Sequence, residues 1–388
     1  MASQHSSQGI AIAGVAESDL GSVPGKTIFQ LQMEAAKAAI EDAGLEKSDI
    51  DGVLTAAPFN SMHMPSMALS EYLGIQPSYS DSTITGGSSF ETHVGHAMAA
   101  IQAGLCTTCL ITYGSTQKSD RSRNPQGTYG NPEPPWQFEA PYGPPLPLAA
   151  YAMAARRHMY EFGTTSEQLA EIAVATRKWA ALNPKAYTRD PLSIDDVMNS
   201  PIVTDPLHRY DCCLVTDGGG AVIVTSLERA RDLKKRPVAV LGFADTHSHM
   251  GISQMPDLVR TAAGITGPKA FGMAGVKPSD IDVTQIYDSF TITVMLCLED
   301  LGFCAKGEAG AFVSGQRTAP GGEFALNTSG GGLSYCHPGM FGIFLIIEAV
   351  RQLRGECGDR QIPSANLTLA HGVGGVLSSH ATLILGGE

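Results

Sequence analysis

Segments with helical periodicity alternate with short apolar runs along the chain. Apolar residues recur at helical spacing over 34–43 and 259–274, and the apolar runs at 109–113 and 367–370 are typical of buried strands. An alternation of this kind predicts an α/β protein in which helices pack between and around two similar sheets.

The two halves of the chain repeat one another. Residues 43–59 read AGLEKSDIDGVLTAAPF and residues 274–290 read AGVKPSDIDVTQIYDSF, and the two align without gaps. Each copy follows an alanine-rich helical pattern and continues into a strand-like run, which predicts a helix–loop–strand unit. A second pair, 86–104 and 337–355, begins with a loop of small residues and runs as a helix that ends in glycine. The duplication predicts halves related by a pseudo-twofold axis.

One long segment has no counterpart in the second half. We therefore expect an N-terminal half over 1–240 that includes an insertion at about 115–211, and a C-terminal half over 241–388. The insertion holds the proline- and aromatic-rich stretch NPEPPWQFEAPYGPP and turns helical over 146–181. Insertions on such scaffolds usually carry binding loops, and a surface cap without a ligand role is the alternative.

Composition and charge narrow the classes of function. With 388 residues, 43% hydrophobic and 16% charged, the chain can bury a large core. Its formal charge of −12 and its lack of long Lys/Arg runs argue against a nucleic-acid partner. The polar start and the absence of an apolar run of about 20 residues predict a cytoplasmic protein without a membrane anchor. The eight cysteines lack paired metal spacing, so we expect buried thiols and no metal site.

This pattern resembles the thiolase superfamily over essentially the whole chain, and the second half is similar to sterol-carrier-protein thiolases. The insertion carries the resemblance in YEFGTTSEQLAEIAVATRKWAALNP (160–184), SPIVTDPL (200–207) and DCCLVTDGGGAVIVTS (211–226). The resemblance implies the duplicated five-layered α-β-α-β-α thiolase fold and a homodimer. It also implies a coenzyme A thioester as substrate, with no bound cofactor.

The first catalytic loop of that family holds a nucleophilic cysteine, and here the loop has none. Counting back from Gly104 puts the family position at Gly87, between Gly86 and the serines Ser88 and Ser89. A serine could act as the nucleophile only beside a base. We therefore interpret this turn at a helix start as an N-cap with anion-binding backbone.

The other three family loops keep polar residues. Tyr287 begins YDSF, where the family has Asn or His, and His337 in SYCHPG matches the family histidine that hydrogen-bonds the thioester oxygen. Tyr335 precedes that histidine by two residues. By spacing, His371 in HGVGG corresponds to the family's second cysteine, and a histidine can move protons as a thiolate does. The resemblance places the thioester beside Gly374 and Gly375.

Without the cysteine, a different reaction is favoured. Thiolytic cleavage of a β-ketoacyl-CoA needs a nucleophile, whereas retro-aldol cleavage of a β-hydroxyacyl-CoA needs only a base and donors for the enolate. Thiolase-like aldolases of steroid side-chain degradation are similar in having tyrosines where Tyr287 and Tyr335 stand. The resemblance implies that one of these phenols takes the hydroxyl proton with help from a histidine. His337 and the backbone N–H groups near Gly87 would then hold the enolate oxygen.

Two other functions stay open. One is a thiolase-type acyltransferase, similar to acetyl-CoA acetyltransferase, with Ser88, Ser89 or Cys336 as a relocated nucleophile. The other is a non-catalytic thiolase-fold subunit.

The complete HPG and HGVGG strings resemble acyl-CoA thiolases of aromatic degradation, so both steroid and aromatic substrates are considered. The resemblance also implies a small partner with an OB-fold and a zinc ribbon. Weak candidates for binding the phosphate groups of CoA are Arg156, Arg157 and Lys178.

Overall fold

The computed structural model describes residues 9–57, 63–122, 136–143 and 147–388. In the first half the strands are β1 (Ile10–Glu17), β2 (Gly52–Thr55), β3 (Tyr79–Asp81), β4 (Thr108–Ser115), β5 (Ile202–Thr204), β6 (Leu207–His208) and β7 (Gly218–Ser226). The helices there are α1 (Ile28–Ala43), α2 (Pro65–Leu73), α3 (Ser89–Gln102), α4 (Trp136–Glu139), α5 (Leu148–Phe162), α6 (Ser166–Ala181), α7 (Ile194–Met198) and α8 (Leu227–Arg231).

The second half has fewer elements. Its strands are β8 (Val238–His247), β9 (Val283–Ile286), β10 (Ala325–Leu326), β11 (Leu367–Gly374) and β12 (Ser379–Gly387). Its helices are α9 (Ala263–Ala274), α10 (Thr291–Asp300), α11 (Ala309–Val313) and α12 (Gly342–Arg354).

The strand order repeats between the halves. From the centre outward the first half runs β1-β7-β4-β2-β3 and the second runs β8-β12-β11-β9-β10. This equivalence agrees with the predicted duplication. The two five-stranded halves join through a short antiparallel pairing of β1 with β8, where Ala11 faces Ala239 and Ile12 faces Val238. The two predicted sheets are therefore linked edge to edge.

Helices cover the two half-sheets and fill the space between them. Helix α1 packs on β1, β4 and β7, and α9 packs on β8 and β12. Helices α3 and α12 contact strands of both halves, so they form the central layer. This arrangement gives the predicted α-β-α-β-α layers.

The sequence repeat has the same local structure in both copies. Helix α1 ends at Gly44 with φ 73°, and α9 ends at Gly275 with φ 70°, a left-handed conformation that favours glycine. A single helical turn and a short strand follow in each copy. The predicted helix–loop–strand units are confirmed, except for residues 58 and 59, which lie outside the described residues.

The predicted helical stretch of the insertion consists of two helices, α5 and α6. Gly163 ends α5 with φ 72°, and the Thr165 side chain accepts a hydrogen bond from the Gln168 N–H to begin α6. Leu146 lies outside the described residues, as do residues 131–135, 144 and 145 of NPEPPWQFEAPYGPP. The boundaries proposed for the two halves stay predictions. Among the described helices, none has both the length and the apolar character needed to cross a membrane.

Candidate active site

The predicted loops meet where β9 and β11 end and α3 begins. A Cβ atom built on Gly87 would lie 2.1 Å from Cε2 of Tyr287 and 2.4 Å from the Val373 carbonyl oxygen. A Cβ atom built on Gly86 would lie 2.6 Å from the Gly375 backbone nitrogen. The Tyr287 ring therefore occupies the space that a side chain at position 87 would need.

Tyr287 and His337 form a buried pair. The Tyr287 hydroxyl lies 2.8 Å from Nε2 of His337, and each residue is 4% exposed. Burial raises the pKa of Tyr287 well above its usual value, because an anionic phenolate would lose its hydration. The phenol is therefore protonated at neutral pH, and the imidazole is placed to exchange a proton with it.

The backbone around His337 is held on several sides. The His337 N–H donates to Oγ1 of Thr216 at 3.0 Å, and the His337 carbonyl accepts from Nε2 of Gln117 at 2.7 Å. The hydroxyl of Tyr113 donates to the Pro338 carbonyl at 2.6 Å. Since β4 and the loop after it supply two of these partners, the first half of the chain positions the histidine of the second half.

Asp288, which follows Tyr287, was not singled out from the sequence. Its carboxylate accepts hydrogen bonds from the backbone N–H groups of Gly332 at 2.6 Å and Leu333 at 3.2 Å. Burial raises the pKa of Asp288 to about 7, against the lowering effect of those hydrogen bonds. The YDSF loop is thereby tied to the turn that precedes His337.

The two candidate serines are engaged in local hydrogen bonds. The Ser88 hydroxyl donates to Oγ of Ser379 at 2.9 Å, and the Ser89 hydroxyl donates to the Gly86 carbonyl at 2.6 Å. Both side chains are fully buried, and none of the hydrogen bonds found for them involves a base. Neither side chain makes a capping hydrogen bond, and Ser88, which precedes α3, has helical φ and ψ, so the predicted N-cap role is wrong. The two serines instead tie the turn to its own backbone and to β12.

The Tyr335 hydroxyl is directed at Glu17 and not at the Tyr287–His337 pair. It donates to Oε1 of Glu17 at 3.4 Å. Although burial opposes ionisation of Glu17, Arg351 and Lys185 hold the pKa of that carboxyl at about 2. Burial, with the nearby Glu17 charge, raises the pKa of Tyr335 well above its usual value. The two predicted tyrosines therefore have separate hydrogen-bond partners.

His371 faces the outer helix layer. Its Nδ1 lies 2.8 Å from Oγ1 of Thr382, which donates to Thr266 on α9, and its Nε2 lies 3.0 Å from Nδ1 of His380. Gly372 and Gly374, its neighbours on alternate positions of β11, face α3 instead. Burial, and next the neighbouring His380, lower the pKa of His371 well below its usual value.

The His371 cluster was not foreseen from the spacing of cysteines and histidines. Cys297, His371 and His380 offer ligand atoms within 4.8 Å of one another, all of them buried. Neutral imidazoles and a thiol are groups that can bind zinc, but this cluster offers only three protein ligands. Of the described residues, these are the ones that could hold a metal.

The cysteines near the site differ in burial. Cys336 is fully buried, which raises its pKa well above the usual value, so its thiol is a weak nucleophile. Cys213, which the sequence did not single out, is partly exposed, and its backbone N–H donates to the carbonyl of Ser289 in the YDSF loop at 3.0 Å. The insertion also contributes Tyr151, which stacks on Phe290 at 4.3 Å.

The weak candidates for binding CoA phosphates lie on the insertion helices. Arg156 forms an ion pair with Asp205, and Arg157 pairs with Glu161 one turn along α5. Lys178 lines a surface pocket on α6. The neighbouring Arg177 reaches inward, and its Nε donates to Oγ of Ser334 at 2.8 Å, so α6 supports the SYCHPG loop.

Comparisons with known proteins agree with this architecture. The family model described as Thiolase C-terminal domain-like matches residues 244–387. A steroid side-chain-cleaving aldolase of Thermomonospora curvata is 35% identical, covering 97% of this chain and 98% of the relative. An acetyl-CoA acetyltransferase of Methanothermobacter thermautotrophicus is 34% identical over 94% of this chain and 96% of its own.

A solved structure supports the same assignment. The Ltp2-ChsH2(DUF35) aldolase superposes with a TM-score of 0.88 at 33% identity, covering 98% of each chain. The predicted thiolase fold and the predicted aldolase type are confirmed. The chain belongs to the thiolase superfamily, as an aldolase-like carbon–carbon lyase.

Proposed function

We propose that this chain cleaves a β-hydroxyacyl-CoA of the steroid side-chain class by a retro-aldol step, without an acyl-enzyme. The main supporting observation is the buried contact between Tyr287 and His337, with Gly87 directly against the phenol ring. A CoA thioester is the substrate and no other cofactor is required. The steroid class is suggested by the Thermomonospora curvata relative, which is a steroid side-chain-cleaving aldolase.

Tyr287 and His337 act as one base in this proposal. A phenol whose pKa is raised by burial cannot remove a proton as a free phenolate at neutral pH. As the phenol oxygen accepts the substrate hydroxyl proton, its own proton passes to Nε2 of His337 across the 2.8 Å contact. The Cα–Cβ bond breaks, the hydroxyl carbon becomes a carbonyl, and the electron pair stays on the thioester as an enolate.

The start of α3 holds the enolate oxygen. The first N–H groups of a helix have no partner within the helix and lie at its positive end. The Tyr287 ring fills the side-chain space of Gly87, so the phenol lies directly beside the backbone of this turn. The resemblance assigns the enolate to His337 as well, but the contact with Tyr287 favours proton transfer as its main role.

Assembly is part of the proposal. We expect a cytoplasmic homodimer that works with a small OB-fold and zinc-ribbon partner. The partner is supported by the similar Ltp2-ChsH2(DUF35) aldolase, which has two components. An aromatic acyl-CoA is the alternative substrate class.

An acyltransferase is the second candidate function. The acetyl-CoA acetyltransferase relative favours it, and so does the partly exposed Cys213, whose backbone is bonded to the YDSF loop. It requires an acyl-enzyme, which the proposed aldolase lacks.

One experiment separates these functions. The purified protein, with and without the protein encoded beside it, is given a β-hydroxyacyl-CoA with a steroid side chain and a β-ketoacyl-CoA. Release of a ketone or aldehyde without a change in intact protein mass is expected. Tyr287→Phe should lower that turnover by about 10²–10⁴-fold, as for loss of a general base. An acyl adduct with turnover dependent on free CoA would establish the acyltransferase instead, and inactivity in every mixture would favour a non-catalytic subunit.

A further inference from the structure

Glu91, in the first turn of α3, is a buried acid without a partner on another residue. Its side chain is fully buried, and the only described group that interacts with its carboxyl oxygens is its own backbone N–H. Burial raises its pKa well above the usual value, so the group is a neutral carboxylic acid at neutral pH. Buried polar groups are normally hydrogen-bonded, which makes this one a candidate for function.

Two glycines make room for the carboxyl group. A Cβ atom built on Gly372 of β11 would lie 2.2 Å from Oε2 of Glu91, and one built on Gly342 at the start of α12 would lie 2.4 Å from the same oxygen. Neither glycine has a positive φ, so the backbone alone does not require glycine at these positions. The absent side chains leave a space that Glu91 fills from the central layer.

This space adjoins the Tyr287–His337 pair. A Cβ atom built on Gly342 would also lie 2.2 Å from the carbonyl oxygen of Gly87. A Cβ atom built on Gly87 would in turn contact the Tyr287 ring. Glu91 follows Gly87 by four residues, about one helical turn. The acid therefore lies beside the loop to which the enolate is assigned.

We propose that Glu91 is the acid that protonates the thioester enolate, an inference that rests on the retro-aldol function proposed above. After the Cα–Cβ bond breaks, the enolate re-forms its carbonyl and Cα takes the carboxyl proton, which leaves acyl-CoA and a Glu91 carboxylate. The proton taken from the substrate hydroxyl by Tyr287 and His337 returns to this carboxylate before the next turnover. No proton is gained or lost over the cycle.

A neutral acid has a clear advantage at this place. A carboxylate would repel the enolate, whereas a protonated carboxyl group can donate to it. Burying a hydroxyl or carboxyl group without a hydrogen bond costs roughly 1–3 kcal/mol on protein scales. An apolar residue of similar size would avoid that cost, so Glu91 is explained better by proton transfer than by packing.

The test compares Glu91→Gln and Glu91→Met with the wild type in D₂O. Glu91→Gln should lower kcat for carbonyl release by about 10²–10³-fold with KM little changed, as for loss of a general acid. It should also lose enzyme-catalysed exchange of the α-hydrogens of product acyl-CoA. Glu91→Met should melt at or above the wild-type temperature while being equally slow. The exposed Glu228→Gln on α8 is the matched control and should stay within about twofold, since surface changes of this kind are small.

The outcomes distinguish this inference from the function on which it rests. If the wild type cleaves its substrate while folded Glu91→Gln and Glu91→Met turn over and exchange at wild-type rates, only the role of Glu91 is overturned. If the wild type releases no carbonyl product, the retro-aldol function itself fails, and the assignment of Glu91 fails with it.

Discussion

Substitution of Gly87 by alanine tests whether the Tyr287 ring has taken the space of the family's nucleophile. The added Cβ would lie 2.1 Å from the ring and 2.4 Å from the Val373 carbonyl, both far inside van der Waals contact. Position 87 has no positive φ, so alanine adds no backbone strain there. The cost is steric, and overpacking of this kind destabilises by about 1–3 kcal/mol.

A double-mutant cycle isolates the part of that cost due to the ring. Urea unfolding is measured for wild type, Gly87→Ala, Tyr287→Ala and the double variant. Removing the ring relieves its overlap, so Gly87→Ala should cost about 1–3 kcal/mol less in the Tyr287→Ala background, within the usual range for coupled neighbours. The contact with the Val373 carbonyl involves backbone and stays when the ring is removed, so part of the cost should remain in the Tyr287→Ala background.

The control is the same substitution at a glycine with open space. Gly272 lies on the exposed side of α9, and a Cβ built there meets nothing within 4 Å. Gly272→Ala should therefore stabilise the folded protein by about 0.5–1 kcal/mol, because alanine favours the helix. This effect is opposite in sign to that of Gly87→Ala. If the effects of Gly87→Ala and Tyr287→Ala on the free energy of unfolding are additive within about 0.5 kcal/mol, the ring is not filling the nucleophile's space.

Further predictions concern the neighbouring Glu17 cluster and the cysteines. Tyr335→Phe should keep most of the turnover, because its hydroxyl faces Glu17 and not the pair; a 100-fold loss in the carbonyl-release assay would give Tyr335 a catalytic role. The pKa of Glu17 is about 2 in the folded protein against an ordinary 4.5. The stability that ionised Glu17 adds to the folded protein is therefore present above about pH 4.5 and is lost as pH falls towards 2. That contribution is on the order of 3 kcal/mol, and Glu17→Gln should flatten the stability profile in this window, as measured by urea unfolding at several pH values. Cys213→Ser should leave carbonyl release within about threefold of wild type if the aldolase uses no acyl-enzyme, whereas abolished turnover would favour the acyltransferase.

The architecture was largely predictable because the sequence contains an internal repeat. The repeats at 43–59 and 274–290 specify equivalent helix–loop–strand units, and apolar strands between helices allow few other arrangements. The pairing of β1 with β8 could not be predicted, since it depends on how two complete half-sheets meet. The break at Gly163 was visible as a glycine followed by two threonines, a helix stop and an N-cap.

The candidate site was predictable only as a set of loops. Motif spacing indicated Tyr287 and His337, which the structure brings into contact. It could not show which way a side chain points: His371 and Gly372 are adjacent in sequence but face opposite sides of β11. Glu91 and Asp288 were missed because a carboxylate in a sequence is ordinarily a solvated group. Their significance comes from burial, which depends on the packing of the central layer.

The neutral state of the site residues suggests how this fold can act without a thiolate. Burial keeps both the Tyr287 phenol and the Glu91 carboxyl protonated, because their raised pKa values disfavour the anions. A thiolase requires an anionic sulfur before its substrate reacts, whereas here the described first-loop residues contain no ionised nucleophile. Negative charge would then develop mainly on the enolate, next to the start of α3, where the positive end of the helix can stabilise it. The loss of the cysteine and the burial of these acids are therefore consistent parts of one retro-aldol mechanism.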